Sequence, residues 1–460
     1  MSGIFDAPSQ AEVTASLNTR AARRLRDMSD EALYGALAEA VYLERRRFEG
    51  GDDPAVGELE AIEEAARALH GGRAEQEAAL QGLVALYAGE IHNRFSPRTY
   101  AFATRVLPRA LTALFTAGGN PSAVFLGDFN PADRVVVAGP LDKLRRLAQT
   151  HTLIVAPTHV SNLDSPLLGY ALYAAGLPPV VYGAGLNLFS NPLMSFFMSR
   201  LGAYTVDRRK KHSIYKDVLK DYSVDVLSRR SHSLFFPGGT RSRSGRIETR
   251  IKKGLLGTGL QAWQEGLAQG RLDPEILVVP CVLSCGLVLE AETLIEESLK
   301  EEGRQRYIIS DDEFADSRVV ASFLRRLADM DASVHIRFGE PLDVLGNPVD
   351  DAGQTLDATG EVVDRRGYVV DANGGVVTDP QRDHVYTGLL ARALERAYLR
   401  DNTALSTHVA AFAAWSLLRL QNPRLNVFQT VQLGPQERRI SGPVLRHAVD
   451  RLRERLAALE

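Results

Sequence analysis

The chain has 460 residues, 45% of them hydrophobic and 24% charged, with a formal net charge of −3. This length exceeds what one hydrophobic core serves, so more than one domain is expected, and the balanced charge excludes nucleic acid as an expected partner. Its two cysteines, Cys281 and Cys285, stand in the apolar run VVPCVLSCG; they are too few for a disulfide framework and read as small core residues in a reducing compartment.

The opening residues, MSGIFDAPSQAEV, lack a basic stretch leading into an apolar one, so no secretory signal is expected. Residues 1–130 form an N-terminal helical region. EALYGALAEAVYLERRRFE, GELEAIEEAARALH and AEQEAALQGLVALYAGEIHNRF carry apolar residues at helical spacing, with Gly-Gly or Asp-Asp-Pro breaks between them. YAFATRVLPRALTALF is also helical and amphipathic, with Arg105 and Arg109 among its apolar residues, suited to packing against the next domain or to a membrane surface. From residue 131 to 345 short apolar runs alternate with helical stretches: VVVAG, LDKLRRLAQ, TLIVAP, SPLLGYALYAAG, then SLFFPGG, GLLGTGLQAWQEG, EILVVPCVLS and VHIRFGEPL. That alternation predicts an α/β domain, a mostly parallel sheet flanked by helices. Residues 346–380 contain three near-repeats, GEVVD, GYVVD and GGVVTD, which suggest short strands joined by tight turns in a hairpin-like insertion. Residues 381–460 return to helix through GLLARALERAYLR, STHVAAFAAWSLLRL and VLRHAVDRLRERLAALE. No apolar run reaches the roughly 18 to 20 residues needed to span a bilayer. The stretch Ser165–Ser199 holds no charged residue, yet Gly and Pro interrupt it repeatedly, which suits core, an acyl-chain pocket or a surface dipping into lipid.

A catalytic base is most often a histidine, and a carboxylate that fixes its tautomer prepares it for that work. APTHVSNLDSP offers His159 and Asp164. The spacing alone is weak, because His212 has Asp217 at the same offset in RRKKHSIYKD. Context separates them. His159 follows a strand-like run and precedes a helix, the edge where α/β proteins place their sites. His212 lies in a charged stretch expected on a solvated surface. No GxSxG elbow occurs, against the usual serine hydrolase. GTGLQA fits a loose dinucleotide fingerprint but falls inside an amphipathic helical pattern. Neither a Walker loop nor a metal-ligand cluster is visible, so no metal and no cofactor is expected.

In LFFPGGTRSRSGR an apolar strand ends in Pro237, Gly238 and Gly239, followed by Arg241, Arg243 and Arg246. Glycines let backbone amides approach an anion, and arginines two apart converge on a phosphate. LGAYTVDRRKK adds Arg208, Arg209, Lys210 and Lys211 after another apolar run; a turn with solvated arginines and a solvated charge run are the generic alternatives.

HVSNLD, GAYTVDRR, FPGGTRSRSG and VVPCVLS occur in the order and rough spacing of the glycerophospholipid acyltransferase boxes, and IKKGLL after the third is also family-like. The chain resembles that family over residues 131–345. It resembles the glycerol-3-phosphate acyltransferases most, through SIYKDVLKDYSVDVLSRRSHSLFF, LVLEAETLIEESLKEEG and RAYLRDNTALSTHVAAFAAWSLL. The resemblance implies His159 as base, Asp164 as its partner, and Arg208, Arg241 and Arg243 on the acceptor's phosphate. Gly238, Gly239 and Thr240 become candidates for the oxyanion or acceptor loop. It implies acyl transfer from acyl-CoA or acyl-ACP to the sn-1 hydroxyl of glycerol 3-phosphate, at the cytoplasmic face of a membrane by a peripheral enzyme. Acyl carrier protein is a partner where it is the donor's carrier. Lysophosphatidate is the alternative acceptor, and a catalytically inactive lipid-binding scaffold the alternative of another class. Leu186, Leu188, Phe189, Met194, Phe196 and Phe197 are the expected wall of an acyl groove. One departure stands out: the family's third box usually carries Glu where this chain has Gly238.

Overall fold

The computed structural model describes residues 8–105, 135–161, 164–186, 192–243, 245–271, 275–286, 288, 294 and 333–458. Arg109, Leu188 and Phe189, and the side chains of Met194 and Phe197, lie outside the described residues.

Among the described residues four helices come first: α1 (Gln10–Asp27), α2 (Asp30–Glu49), α3 (Glu58–Ala68) and α4 (Arg73–Ile91). A capping box starts α1, in which Ser9 and Glu12 satisfy each other's backbone amides at 3.3 and 2.7 Å. Its apolar residues Val13, Leu17, Ala21 and Leu25 recur every fourth position and are all buried. They share one core with Tyr204, Ile214, Tyr215, Val218 and Tyr222 of the α/β body. Arg20 and Arg24 reinforce the junction by pairing with Glu265 at 2.7 Å and Asp221 at 2.6 Å.

The body holds strands β1 (Val135–Ala138), β2 (Thr152–Pro157), β3 (Val181–Gly185), β4 (Ala203–Val206), β5 (Ser233–Leu234), β6 (Ile276–Cys285), β7 (Val334–Phe338) and β8 (Leu342–Asp343). The sheet order is β1-β7-β6-β2-β5-β3-β4, with β8 also on β6. Pairings are parallel except those of β6 with β7 and β8, so the sheet is mostly parallel as the alternating pattern predicted. Helices α5 (Leu141–Thr150), α6 (Asp164–Ala174), α7 (Pro192–Arg200), α8 (Ser213–Ser228) and α9 (Lys253–Ala268) connect and flank the strands.

Strands β2 and β6 are buried at every position, as central parallel strands covered on both faces must be. Alternation divides their side chains between two cores. Leu153 and Val155 join Leu144, Leu168 and Phe338, while Ile154 and Ala156 join Leu260, Trp263 and Leu394. Cys281 and Cys285 are buried and reduced on β6.

Beyond β7 the chain makes a repeat that the Val-Val pairs only partly disclosed. Asp343, Asp350, Asp357, Asp364 and Asp371 open successive seven-residue units, with Gly346, Gly353, Gly360, Gly367 and Gly374 three positions later. Every Asp side chain accepts from the amide two residues on, at 2.8–3.0 Å. Every Gly amide donates to the Asp carbonyl at 3.0–3.2 Å. Four of the glycines have φ between +80° and +94°, a region that L side chains avoid. Isolated bridges such as Val349↔Thr355 and Leu356↔Val362 join the units. Arg365 anchors the array by lying over Trp263 at 4.8 Å and pairing with Glu275, just before β6 begins. The array therefore meets the sheet at the starts of β2 and β6, away from the ends that carry His159.

Helix α10 (Pro380–Asp401) has Asp379 as its cap and a proline in its first turn. Its Tyr398 is fully buried and donates to the Ala156 carbonyl of β2 at 2.9 Å. Helices α11 (Ser406–Gln421), α12 (Val427–Val431) and α13 (Gly442–Ala457) complete the chain.

Candidate active site

The first box begins where β2 ends. Thr158 closes the strand by donating its amide to the Cys281 carbonyl at 2.9 Å and accepting from the Leu283 amide at 3.0 Å, so His159 leaves a fixed point. Asp164 is the first residue of α6 and is fully buried. Its Oδ2 accepts from the amides of Val160 and Ser161 at 2.6 and 2.9 Å and from His159 Nδ1 at 2.7 Å. A carboxylate accepting from Nδ1 places the ring proton there, which leaves Nε2 with its lone pair. The imidazole stacks on Phe236, with centroids 4.1 Å apart and planes 24° apart. Two bonded residues, a helix start and an aromatic face thus hold one ring.

The third box docks directly on the first. Strand β5 runs parallel to β2, pairing Ser233 with Ile154 and Leu234 with Val155. Phe236 to Gly239 then form a turn closed by the Gly239 amide on the Phe236 carbonyl at 3.0 Å, with Gly239 at φ +77°. Past the turn, the Ser242 amide donates to the His159 carbonyl at 2.7 Å. Arg241 and Arg243, both partly buried, therefore flank a residue bonded to the His159 backbone.

A family model described as "Acyltransferase" matches residues 141–284, the span from α5 through the Val-Pro strand. Over these residues the chain carries a segment that is similar to an acyltransferase domain. Similar curated proteins include the glycerol-3-phosphate acyltransferases of Haemophilus ducreyi, 31% identical over 205 residues, and of Actinobacillus succinogenes, 32% over 203. Each match covers 44% of this chain and 23% of the relative, so the chain spans about a quarter of those proteins' length. Among solved structures, a 1-acyl-sn-glycerophosphate acyltransferase from Thermotoga maritima is 14% identical. That match covers 66% of this chain and 81% of the other, at a TM-score of 0.32.

Within the acyltransferase domain the second box is farther from His159 than the third. Strand β4 is three positions from β2, and at strand spacing its end lies roughly 14 Å away. Arg208, exposed just beyond β4, must reach back across β3 and β5 to share a phosphate with Arg241 and Arg243. Arg209 forks onto Asp207 at 2.9 and 2.8 Å.

The expected solvated charge run holds for Arg208, Arg209 and Lys211, which are exposed, but is overturned at Lys210 and His212. Lys210 and His212 are buried, at 4% and 0% exposure. His212 Nδ1 caps α8 by accepting from the Tyr215 amide at 3.3 Å, and its Nε2 meets the Tyr87 hydroxyl at 3.2 Å. Burial, helped by the Lys210 charge, lowers its pKa to about 4. The ring is therefore neutral near pH 7, and its 3.5 Å approach to Glu44 is not an ion pair. Lys210 binds Glu58 at 2.8 Å and Glu90 at 2.6 Å, while Arg47 joins Glu58 at 2.7 Å and Glu44 at 2.6 Å. Charges from α2, α3 and α4 thus fasten the second-box loop, and a sequence window centred on RRKK contains none of them.

Sequence reasoning also missed Glu248. It is the lone acid among the six basic residues of RSRSGRIETRIKK, and that isolation was the available signal. Its Oε1 accepts from the His159 amide at 2.9 Å, and the Gly238 amide favours the same carboxylate. Burial nevertheless raises its pKa to about 7, against the pull of those amides and with help from the Asp164 charge. Of the proposed acyl groove, Leu186 and Phe196 are described, and both are exposed, Phe196 with the Arg200 guanidinium 3.8 Å above its ring.

Proposed function

We propose that this chain moves a fatty acyl group from an acyl thioester to the sn-1 hydroxyl of glycerol 3-phosphate, giving lysophosphatidate. The observation carrying this reading is the His159–Asp164 pair, with Nε2 open, bonded through Ser242 to the arginine-bearing turn. Nε2 takes the acceptor's hydroxyl proton as that oxygen attacks the thioester carbonyl. Asp164 holds the tautomer and stabilises the imidazolium. Collapse of the tetrahedral intermediate expels the thiolate of coenzyme A or acyl carrier protein, which recovers the proton. The Gly239 amide closes its own turn and the Gly238 amide lies against Glu248, so we assign the oxyanion to the Thr240 amide.

Arg241 and Arg243 bind the acceptor's phosphate in this reading. Replacing either with Ala is expected to raise the acceptor's KM about tenfold to a hundredfold, the usual cost of a lost charged hydrogen bond, with the donor's KM unchanged. Lys at either position restores charge without the fork and rescues part of the loss. Mass spectrometry with glycerol 3-phosphate and lysophosphatidate offered together decides the acceptor: phosphatidate as main product replaces our acceptor with the second, and no product from any thioester leaves a lipid-binding scaffold.

We further propose a peripheral enzyme at the cytoplasmic face of a membrane. Phe412, Trp415, Leu420, Val427 and Val431 expose 38–75% of their surface on α11 and α12, and no helix among the described residues is long and apolar enough to cross a membrane. The protein should sediment with membranes and be released by salt or mild detergent. Release only on full bilayer solubilisation would refute a peripheral attachment.

A further inference from the structure

The carboxyl of Glu248 occupies the space in which a side chain at position 238 would lie. A Cβ built on Gly238 would come within 2.5–2.7 Å of its carbon and both oxygens. The segment bearing it returns to the turn, where the Lys252 amide donates to the Pro237 carbonyl at 2.8 Å, with Glu248 turned inward. One oxygen holds the His159 amide at 2.9 Å. The other, Oε2, is buried and meets no hydrogen-bond partner among the described residues. A carboxyl in so poorly compensated a place costs stability.

We propose that Glu248 is a positioning residue, filling from ten residues downstream the space that Gly238 leaves beside the turn and locking that turn onto the backbone of His159. This rests on the acyltransferase reading for its consequence, but its geometry does not. Two tethers then join the first and third boxes: the Ser242 amide on the His159 carbonyl and the Glu248 carboxyl on the His159 amide. The peptide groups on both sides of the His159 Cα are held, so the direction in which Nε2 faces the arginine turn is set by this loop. Gly238 and Glu248 are one unit, because an acid at 238 and an acid at 248 compete for the same volume.

The experiment is a relocation. Four variants are compared with the wild type: Glu248→Ala, Glu248→Gln, Gly238→Glu and the double variant Gly238→Glu/Glu248→Ala. Each is assayed for kcat and KM with acyl-CoA and glycerol 3-phosphate, and for the imidazole signals of His159 by NMR on protein labelled with 15N-histidine. Glu248→Ala should lose about tenfold to a hundredfold in kcat, the scale of a small misplacement, with KM for acyl-CoA unchanged. Glu248→Gln keeps an oxygen for the His159 amide and should retain most activity. Gly238→Glu alone should be impaired by crowding, and the double variant should return to within about threefold of wild type. The His159 signals should shift in Glu248→Ala and return in the double variant. They read the tether even if the wild type transfers no acyl group, so failure of the functional reading is seen separately. A Glu248→Ala protein with wild-type kcat and unshifted His159 signals overturns the proposal. So does a folded double variant no closer to wild type than Glu248→Ala.

Discussion

His159→Ala is expected to lower turnover by about a hundredfold or more, within the range general-base catalysis supplies. The structure gives the reason in Nε2: Asp164 engages Nδ1 at 2.7 Å, so the other nitrogen alone can take a proton. Asp164→Asn should lose a comparable amount by another route. Its amide nitrogen, if turned to Nδ1, donates there and forces the ring proton onto Nε2, where the base is needed. His212→Ala serves as the contrast: it removes a helix cap worth about 1 kcal/mol and should lower stability while leaving turnover per folded molecule near that of wild type. Steady-state rates, normalised to folded protein by circular dichroism, check all three. A His159→Ala enzyme within threefold of wild type would remove the base from the mechanism.

The second large effect is expected in stability. Lys210→Met should cost about 3–5 kcal/mol, the usual penalty for removing one partner from a buried ion pair. Glu58 and Glu90 would lose their contacts of 2.8 and 2.6 Å to the ammonium group, with Lys210 only 2% and Glu58 1% exposed at the side chain. Arg47 would still hold Glu58 at 2.7 Å, so Glu90, already raised in pKa by burial and steadied by Lys210, should take up a proton. Combining Lys210→Met with Glu90→Gln should recover part of the loss. Urea denaturation of the single and double variants measures both, and a single variant as stable as wild type would show that the network is decorative.

Much of the fold was legible because burial writes itself into short windows. TLIVAP and EILVVPCVLS are apolar at nearly every position, which is what strands covered on both faces require. His159 and Asp164 were legible for a similar local reason: a strand end and a helix start bring them together within one turn of chain. Sheet order was not legible. Strand β5 has two residues, yet it separates β2 from β3, and no local pattern announces a partner so far along the chain. Antiparallel β7 escaped for the same reason, since VHIRF reads alike in either direction. Lys210 of the RRKKH run was misjudged because its neutralising groups, Glu58 and Glu90, lie on helices more than a hundred residues earlier. Glu248 belongs to the same class: its meaning comes from a loop closing on itself.

The turn array after β7 has a consequence for how this chain can vary. Each unit satisfies the polar groups of its own turn through its own Asp and Gly, so the array carries an intrinsic quantum of length. Joining Val349 to Asp357 would skip one whole unit and keep the Asp and Gly in phase, whereas any deletion other than a multiple of seven would set a side chain where the left-handed glycine belongs. Because the array meets the sheet at the strand starts, that quantum can be added or removed without moving the strand ends that carry His159 and the arginine turn. Length and chemistry are thus placed at opposite poles of one sheet, each open to change on its own terms.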